Sequence, residues 1–600
     1  MNLTYGFSTQ TFANILTIIN ILQCKNIYNV NIINCDKSFD IITVNKILAQ
    51  NKMRTQFINI GDDFIRNSNK YDPKIGIVLN TACKSWKDTF DNIDVKYSFK
   101  YPFVWLIIIN NVSATVNVLS QYPIQVDADV TITCKINDTK ETFELYEIFN
   151  TGFYRNGTFQ VQYKGPWNST KNKTNNYLTR MDLSGVLIKV TVVVTRDLIN
   201  ETIEEYLVNS VKDGMDSIHK SKFFMILKYI QAMYNFTMEL SSTHSWGYVR
   251  NGSFDGMVGA LINGQADIGG SPIFFRIDRS KFIDYAVETW PASFSFVFRH
   301  PKHSSGFYTI YTRPLDHSVW YCIFGLLLIT GVSMFLILKA NIRNQSHDAE
   351  DSSISLAFLF SFGTLCQQGM PITRNTASVK VLIFITLAYS VTLYQYYNAV
   401  IVATLLREPP TTIKTLRDLL HSNLKIGVED VLYNKDYFQR TTDPVAIELY
   451  KKKVAYSKHY NFFEPDKGMA LVKQGGFAYH LDTIIAYRFM QKQFTDREIC
   501  ELRNVILYPP QKMAAAVPKR SPYKEHMASG IRKIFESGLM RRLKTSLDAP
   551  MPKCTHTPDS SIFSVNISEF SSPLIALTFG MIISLIILCC EIFIKNVTKN

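Results

Sequence analysis

The sequence predicts a multidomain α/β protein with membrane helices. A bilobed clamshell ligand-binding domain is split in the chain by a pore domain of three transmembrane helices and a re-entrant loop, and a short α/β N-terminal domain precedes it. Three observations predict this. Residues 319–338 and 381–406 are uncharged apolar runs, each reaching the about 20 residues that span a bilayer as a helix. Between them, residues 354–366 (ISLAFLFSFGTLC) are apolar but too short to cross, and Gln367-Gln368-Gly369 follows. Backbone that enters a membrane without crossing must be covered by protein or line water, so span, half-span and span read as a pore lining. The alternative is two ordinary spans joined by an amphipathic linker. Finally, α/β-patterned segments flank this element, and a further apolar run, 573–594, closes the chain with only Glu591 interrupting it near the interface.

At 600 residues the chain holds several domains. The net charge of +14 is spread along it, with no basic block and no nucleic-acid motif, so nucleic acid is not expected as a partner. Ten cysteines are too few for a disulfide scaffold. Cys500 and Cys554 can bridge if their side is extracellular; the pairing of Cys24, Cys35, Cys83 and Cys134 cannot be deduced. Sequons crowd the part before the first span, at Asn111, Asn137, Asn156, Asn168, Asn172, Asn200, Asn235 and Asn251, which favours an extracellular, glycosylated N-terminal part. Residues 12–22 are apolar but interrupted by Asn14 and Asn20, with no basic residue before them. A leader is therefore expected either upstream of this start or in this weak run. With the N-terminus outside, the re-entrant loop dips from the cytosol and the tail ends inside. Lys339, Arg343, Lys380, Lys595 and Lys599 give modest support to that orientation.

Residues 1–180 read as a short extracellular α/β domain and linker. Residues 30–33, 76–80 and 105–109 are buried-strand runs, with 41–51 helical between them. Residues 156–176 are rich in Asn, Lys, Gly and Thr without apolar period and read as a glycosylated linker. Residues 181–312 form the first binding segment. In it, 185–195 is a strand, 222–234 a helix and 294–298 a strand leading to the membrane. Then come the span 319–338, the re-entrant loop 354–369 and the span 381–406. Residues 411–570 form the second binding segment. There 413–420 is a helix and 424–427 a strand, and Glu429-Asp430 opens the next helix, where acids suit the macrodipole. Residues 476–487 run strand into helix, placing Asp482 in the first helical turn. Residues 514–518 are a strand, and 529–544 one basic amphipathic helix. Ligand sites in such lobes lie between them, at strand ends and helix N-termini.

Several of these stretches resemble ionotropic glutamate receptors. SFDGMVGALINGQADIGGSPIFFRIDRSKFIDYA resembles the family's first ligand-binding segment, and FGTLCQQGM its pore loop, with Gln367 at the selectivity position. YYNAVIVATL stands where the family carries its gate sequence, matching at Asn398 and a few small or apolar positions. FAYHLDTIIAY, followed by EIC at 498–500 and then Cys554, resembles the second binding segment and its disulfide. The order of segments agrees from about residue 182 to the end. Within that family the chain is similar to an insect variant ionotropic receptor, the chemosensory branch. The N-terminal part is short and the glutamate-specific residues are partly replaced. The phrases CQQG, GFAYH and DREIC, with INC at 33–35 and WLIII at 105–109, are those of the acid-sensing tuning receptors.

The resemblance puts the carboxylate-binding arginine at Arg279, with Arg276 as a competitor. A guanidinium suits a carboxylate because its fork pairs both oxygens. The alternative is a surface arginine paired with Asp278 or Asp284. Phe274 replaces the family's hydroxyl donor, and Pro272 keeps an available carbonyl. Tyr433 and Asn434 replace a small hydroxyl pair, both still able to donate. The acid that would hold a ligand amine falls on Asp482, which can equally be a helix N-terminal charge. The charge-binding arginine is kept among aromatics, so the expected ligand is a small organic acid with an aliphatic or aromatic tail. In the pore, Gln367 and Gln368 imply a neutral constriction for permeant cations. Pro371 stands where an acid is frequent, leaving calcium permeation open, and Tyr394, Tyr396 and Tyr397 alter the gate. The resemblance further implies a hetero-tetramer with a co-receptor subunit, in the plasma membrane of a sensory-neuron dendrite or cilium. No catalytic triad spacing, zinc motif or phosphate loop is present, so neither an enzyme, a metal nor a cofactor is expected. A clamshell substrate-binding receptor and a non-conducting regulatory subunit are the alternatives.

Overall fold

The computed structural model describes residues 9–34, 41–60, 73–82, 85–90, 94–137, 140–167, 180–198, 200–213, 218–300, 311, 314–344, 353–368, 376–406, 412–455, 461–554 and 567–599. The chain divides into two units. One comprises Met1–Phe298, Thr415–Thr495 and Arg503–Lys553; the other comprises Arg299–Lys414, Asp496–Leu502 and Cys554–Asn600.

The first unit begins with a seven-stranded sheet in the order Arg54–Asn59, Asn29–Asn34, Ile75–Asn80, Phe103–Ile109, Asp129–Asn137, Lys140–Asn150, Phe159–Pro166. The first five strands run parallel and the last two antiparallel. The two central strands, Ile75–Asn80 and Phe103–Ile109, are nearly continuous apolar runs, as burial on both faces requires; in Phe103–Ile109 only Ile108 is not fully buried. Trp105 sits at the centre and donates its indole N–H to the Ser98 carbonyl at 2.7 Å. Two sequence expectations are corrected here. The weak apolar run 12–22 lies in a helix, Thr9–Cys24, which buries Ile15, Ile19, Ile21 and Leu22 against the sheet. Asn20 is exposed and leaves that face apolar. The supposed linker 156–176 carries the edge strand Phe159–Pro166. An edge strand half open to water needs no apolar period, and residues 168–179 lie outside the described residues. Asn111, Asn156, Asn200, Asn235 and Asn251 are exposed and Asn137 ends a strand; Asn168 and Asn172, like Cys35 and Cys83, lie outside the described residues.

Two lobes follow. Lobe 1 has a parallel sheet ordered Ile268–Gly269, Leu187–Val193, Thr237–Thr243 and an antiparallel sheet ordered Ile273–Phe274, Gln511–Pro518, Ile283–Ala292. The helix Ile218–Tyr234 packs Phe223, Phe224, Ile226, Leu227 and Ile230 inward. Lobe 2 is one sheet ordered Phe462–Phe463, Lys425–Glu429, Phe477–Asp482, Phe294–Arg299, Leu502–Ile506. The chain crosses between lobes at residues 292–294 and again at 506–511. Two expectations in these lobes are also corrected. Glu429 ends a strand rather than opening a helix; the helix is Leu432–Arg440, with Val431 as its cap. The basic helix over 529–544 is two helices, Lys524–Glu536 and Leu539–Leu547. Gly538 lies between them at φ 78°, a left-handed conformation that glycine adopts without a steric penalty.

The N-terminal domain is stapled to lobe 1. Arg155 gives a two-pronged ion pair to Asp267 at 2.8 and 3.1 Å and also reaches the Gly264 carbonyl. Asp267 in turn accepts the Lys189 backbone N–H at 3.0 Å. Arg180, 1% exposed, donates to the Val126 and Ala128 carbonyls, while its own carbonyl contacts His526 Nε2 at 3.0 Å. Tyr523 donates to the Thr151 carbonyl and Lys100 to that of Arg520.

Among its described residues the second unit has three helices long and apolar enough to cross a membrane, over His317–Ala340, Ala377–Ala403 and Pro573–Ile594. The short helix Ile354–Leu365, capped by Ser353, packs against two of them. Ser361 meets Thr330 and donates to the Leu327 carbonyl, the Phe358 ring lies over Gly331, and Ser390 donates to the Thr364 carbonyl. Thr330 and Ser390 stand near the middle of their spans, so the short helix sits at mid-depth as a re-entrant element. This excludes the linker alternative. Gln367 and Gln368 follow it exposed, and Asn398 is half-buried on the helix Ala377–Leu406. Cys500 and Cys554 form a disulfide in this unit.

A packing prediction comes from lobe 2. A Cβ on Gly468 would lie 2.3 Å from the ring of Tyr479, whose side chain is fully buried and donates to the Phe463 carbonyl at 2.7 Å. Gly468→Ala is expected to destabilise the lobe by about 1–3 kcal/mol through overpacking, seen as a lower melting temperature of the purified chain. An unchanged melting temperature would contradict this packing.

Candidate functional site

A small cavity lies between the lobes, with about 30 Å3 of open space, room for one or two water-sized bodies. Arg279, Pro272, Phe274, Tyr433 and Asp482, all singled out in the sequence, line it. Asn434 does not: it is 1% exposed and donates to the Glu429 carbonyl at 3.0 Å, turned toward the strand end by the helix it sits on.

Arg279 is 2% exposed, so the surface-arginine alternative fails. It sits on the short helix Ile277–Ser280. Its Nε and Nη2 both donate to the Gly247 carbonyl, at 3.1 and 2.6 Å, and its guanidinium lies 5.3 Å from the Tyr248 ring centroid. Gly247 is at φ 121°, and a Cβ there would strike Val258 at 2.4 Å, so only glycine presents its carbonyl this way. Among the described residues no carboxylate forms an ion pair with the Arg279 guanidinium. Burial, then repulsion from Arg276, holds its pKa below the ordinary value. The neighbouring acids are engaged elsewhere. Asp278 accepts from the Arg276 side chain and the Arg279 backbone N–H. Asp284 pairs with Lys519 and Lys524. The competitor Arg276 is itself committed, to Asp278 and across the cleft to Asp436 at 3.1 Å.

Aromatic rings close the remainder. Tyr433 packs against Phe294, Trp246 and Phe274 at centroid distances of 5.3, 5.8 and 6.0 Å, and its hydroxyl donates to Glu429 at 3.1 Å. Burial and the Glu429 carboxylate raise its pKa well above the usual value, so it stays a neutral donor. Pro272 was expected to offer a free carbonyl; that carbonyl instead accepts the Trp246 indole N–H at 3.2 Å. Asp482 caps the helix Thr483–Gln493, accepting the Ile484 N–H at 2.9 Å, and its other oxygen lies 2.8 Å from His219 Nε2.

The sequence reading missed His219, Lys220, Trp246, Tyr248, Phe294 and Met513 in this cavity. The Trp-Gly-Tyr at 246–248, in a loop between a strand and a glycine-rich helix start, is a signal that could have found two of them. His219 and Lys220 open an apolar helix and give no sequence signal. Lys220 Nζ lies 3.1 Å from the Thr195 hydroxyl and 5.2 Å from the Trp246 ring centroid. His480, next to Tyr479 on the same strand, is fully buried beneath Phe294 among Phe296 and Tyr508.

Three family models match. One described as Ionotropic receptor 75a N-terminal covers residues 11–193, one described as the ligated ion channel L-glutamate- and glycine-binding site covers 206–302, and one described as ligand-gated ion channel covers 316–581. Among similar proteins, Ionotropic receptor 75a of Drosophila sechellia is 25% identical over 501 residues, 79% of this chain and 79% of that protein. The Drosophila melanogaster protein of the same name is 24% identical over the same span and shares. A kainate-type ionotropic glutamate receptor of Caenorhabditis elegans is 26% identical over 310 residues, 49% of this chain and 36% of that protein.

The buried His480 generates a pH prediction. Burial lowers its pKa from 6.5 to about 3, so the folded chain keeps it neutral while the unfolded chain takes up a proton below pH 6.5. The unfolded state then binds more protons, and stability falls with pH through this window by about 1.4 kcal/mol per pH unit from this group. In His480→Phe the drop in melting temperature between pH 7 and pH 5 is expected to be smaller than in the parent. Parallel slopes for the two would refute it.

Proposed function

The chain belongs to the ionotropic glutamate receptor family of ligand-gated ion channels, on its insect variant ionotropic receptor branch, and from that premise we propose that it is a chemosensory channel subunit gated by small carboxylic acids. One observation carries the ligand class: the Arg279 guanidinium is buried in an interlobe cavity, and among the described residues no carboxylate is paired to it. A buried charge without a counterion costs several kcal/mol, and a bound carboxylate removes that cost by accepting the guanidinium's N–H groups. Phe274, Trp246 and Tyr433 offer only rings around it, which suits an aliphatic or aromatic body and not a second charged group.

Gating follows from the cavity's size. With about 30 Å3 open, an acid enters only if Tyr433 swings aside or the lobes part, which strains the Arg276–Asp436 ion pair across the cleft. Lobe 2 continues in the chain directly into residues 299–316 before the first span and resumes from residues 407–414 after the second. A change in lobe separation is therefore transmitted along both linkers. Gln367 and Gln368 form the neutral constriction of a cation pathway, and Asn398 belongs to the gate helix; Pro371 lies outside the described residues. The single subunit is completed as a tetramer with a co-receptor, in the plasma membrane of a sensory-neuron dendrite or cilium, with glycans on the extracellular asparagines.

Two expected outcomes test this. In cells co-expressing an acid-type insect co-receptor, Arg279→Ala should raise the half-maximal concentration for short and aryl carboxylic acids about 30-fold or more, in line with the about 2–5 kcal/mol lost when one partner of a buried charge pair is removed. An unchanged dose–response curve at equal surface expression rejects the ligand reading. In the same cells Gln367→Arg should reduce cation current without shifting ligand sensitivity. Currents that ignore it point instead to a non-conducting regulatory subunit.

A further inference from the structure

We propose that His219 is a specificity-determining residue: it occupies the Asp482 carboxylate and so excludes acids bearing an α-ammonium group from the cavity. This deepens the carboxylic-acid reading and rests on it. Trp290 Nε1 lies 2.8 Å from His219 Nδ1. An indole N–H can only donate, so Nδ1 is the acceptor and the imidazole proton of the neutral ring sits on Nε2. That nitrogen is 2.8 Å from Asp482 Oδ2, a close approach whose angle falls short of a hydrogen bond. Asp482 Oδ1 is held by the Ile484 backbone N–H. His219, Trp290 and Asp482 are 4, 8 and 2% exposed, so no abundant water competes for these contacts.

An ammonium group entering beside Arg279 needs an acceptor. Two candidates on the cavity wall are the Asp482 carboxylate and the Pro272 carbonyl, and both are engaged: Asp482 accepts from Ile484 and is covered by His219 at 2.8 Å, and Pro272 accepts from the Trp246 indole. The same wall also presents Lys220 and Arg279, which repel a cation. The lobe 1 helix that begins at Ile218 thus brings His219 across the cleft to the end of a lobe 2 strand. The carboxylate that could meet an ammonium group is thus faced at 2.8 Å by the edge of the His219 ring.

The test measures binding of propionate and L-alanine, which differ only by the α-ammonium group, to the purified full chain by calorimetry. Parent protein should favour propionate at least 10-fold. His219→Leu should gain affinity for L-alanine at least 10-fold over the parent, because Asp482 is released. His219→Gln should keep the parent's ratio, since its carbonyl can accept from Trp290 and its amide can donate to Asp482. His219→Asn, polar but too short to reach both, is measured alongside and should behave as His219→Leu, so the test survives if the leucine variant does not fold. The proposal is overturned if both acids weaken by the same factor in the leucine and asparagine variants, or if the parent binds L-alanine as tightly as propionate. Arg279→Ala in the same series separates the two ideas. Its effect on propionate judges the carboxylate reading, whereas the gain of L-alanine binding judges His219.

Discussion

The binding unit is organised around one buried cation. Arg279 could not stay charged inside a protein on packing alone; it is held by the Gly247 carbonyl and the face of Tyr248, partners that satisfy hydrogen bonds but supply no negative charge. The acids close to it are all drawn away. Asp278 is held by Arg276, Asp436 by Arg276 and Arg440, and Asp284 by two lysines. Sequence neighbours that could have neutralised Arg279 neutralise other groups instead, and the deficit of negative charge is focused on one small volume.

The aromatic wall has a complementary effect. Rings exclude water without offering lone pairs, so they raise the strength of any charge–charge contact made at Arg279 and leave its direction to the guanidinium fork. The wall is also what joins the lobes. Tyr433 of lobe 2 enters between Trp246 and Phe274 of lobe 1, with Phe294 at the crossing between them. The residues that shape the ligand's surroundings are therefore the residues whose contacts break when the lobes separate.

Much of this was legible in the sequence because it rests on periodicity and composition. Uncharged runs marked the spans and the short run between them marked the re-entrant helix, whereas the stretch that holds Arg279 was placed by its resemblance to the family's first binding segment. What was not legible depended on three-dimensional pairing. Pro272 keeps its place in the chain, yet its carbonyl is spent on Trp246, a residue 26 positions away. Asn434 follows Tyr433 directly but faces a strand end, because adjacent residues on a helix point about 100° apart. His219 gives no sign in a helix whose pattern is dominated by its apolar face. The edge strand Phe159–Pro166 was misread as linker because a half-buried strand at the edge of a large sheet needs fewer apolar residues than an isolated one.

Arg155 carries a consequence for inheritance. Its fork joins positions 112 residues apart in the chain, while Lys100 and Tyr523 join positions 420 and 372 apart. A crossover that took the N-terminal domain from one relative and the lobes from another would bring together surfaces shaped by different histories, and the arginine would face an unmatched turn. The staple therefore ties the N-terminal domain to lobe 1 through contacts distant in the chain. Asp267, which Arg155 grips, lies five residues before Pro272, so a substitution at the staple sits close in the chain to the cavity wall.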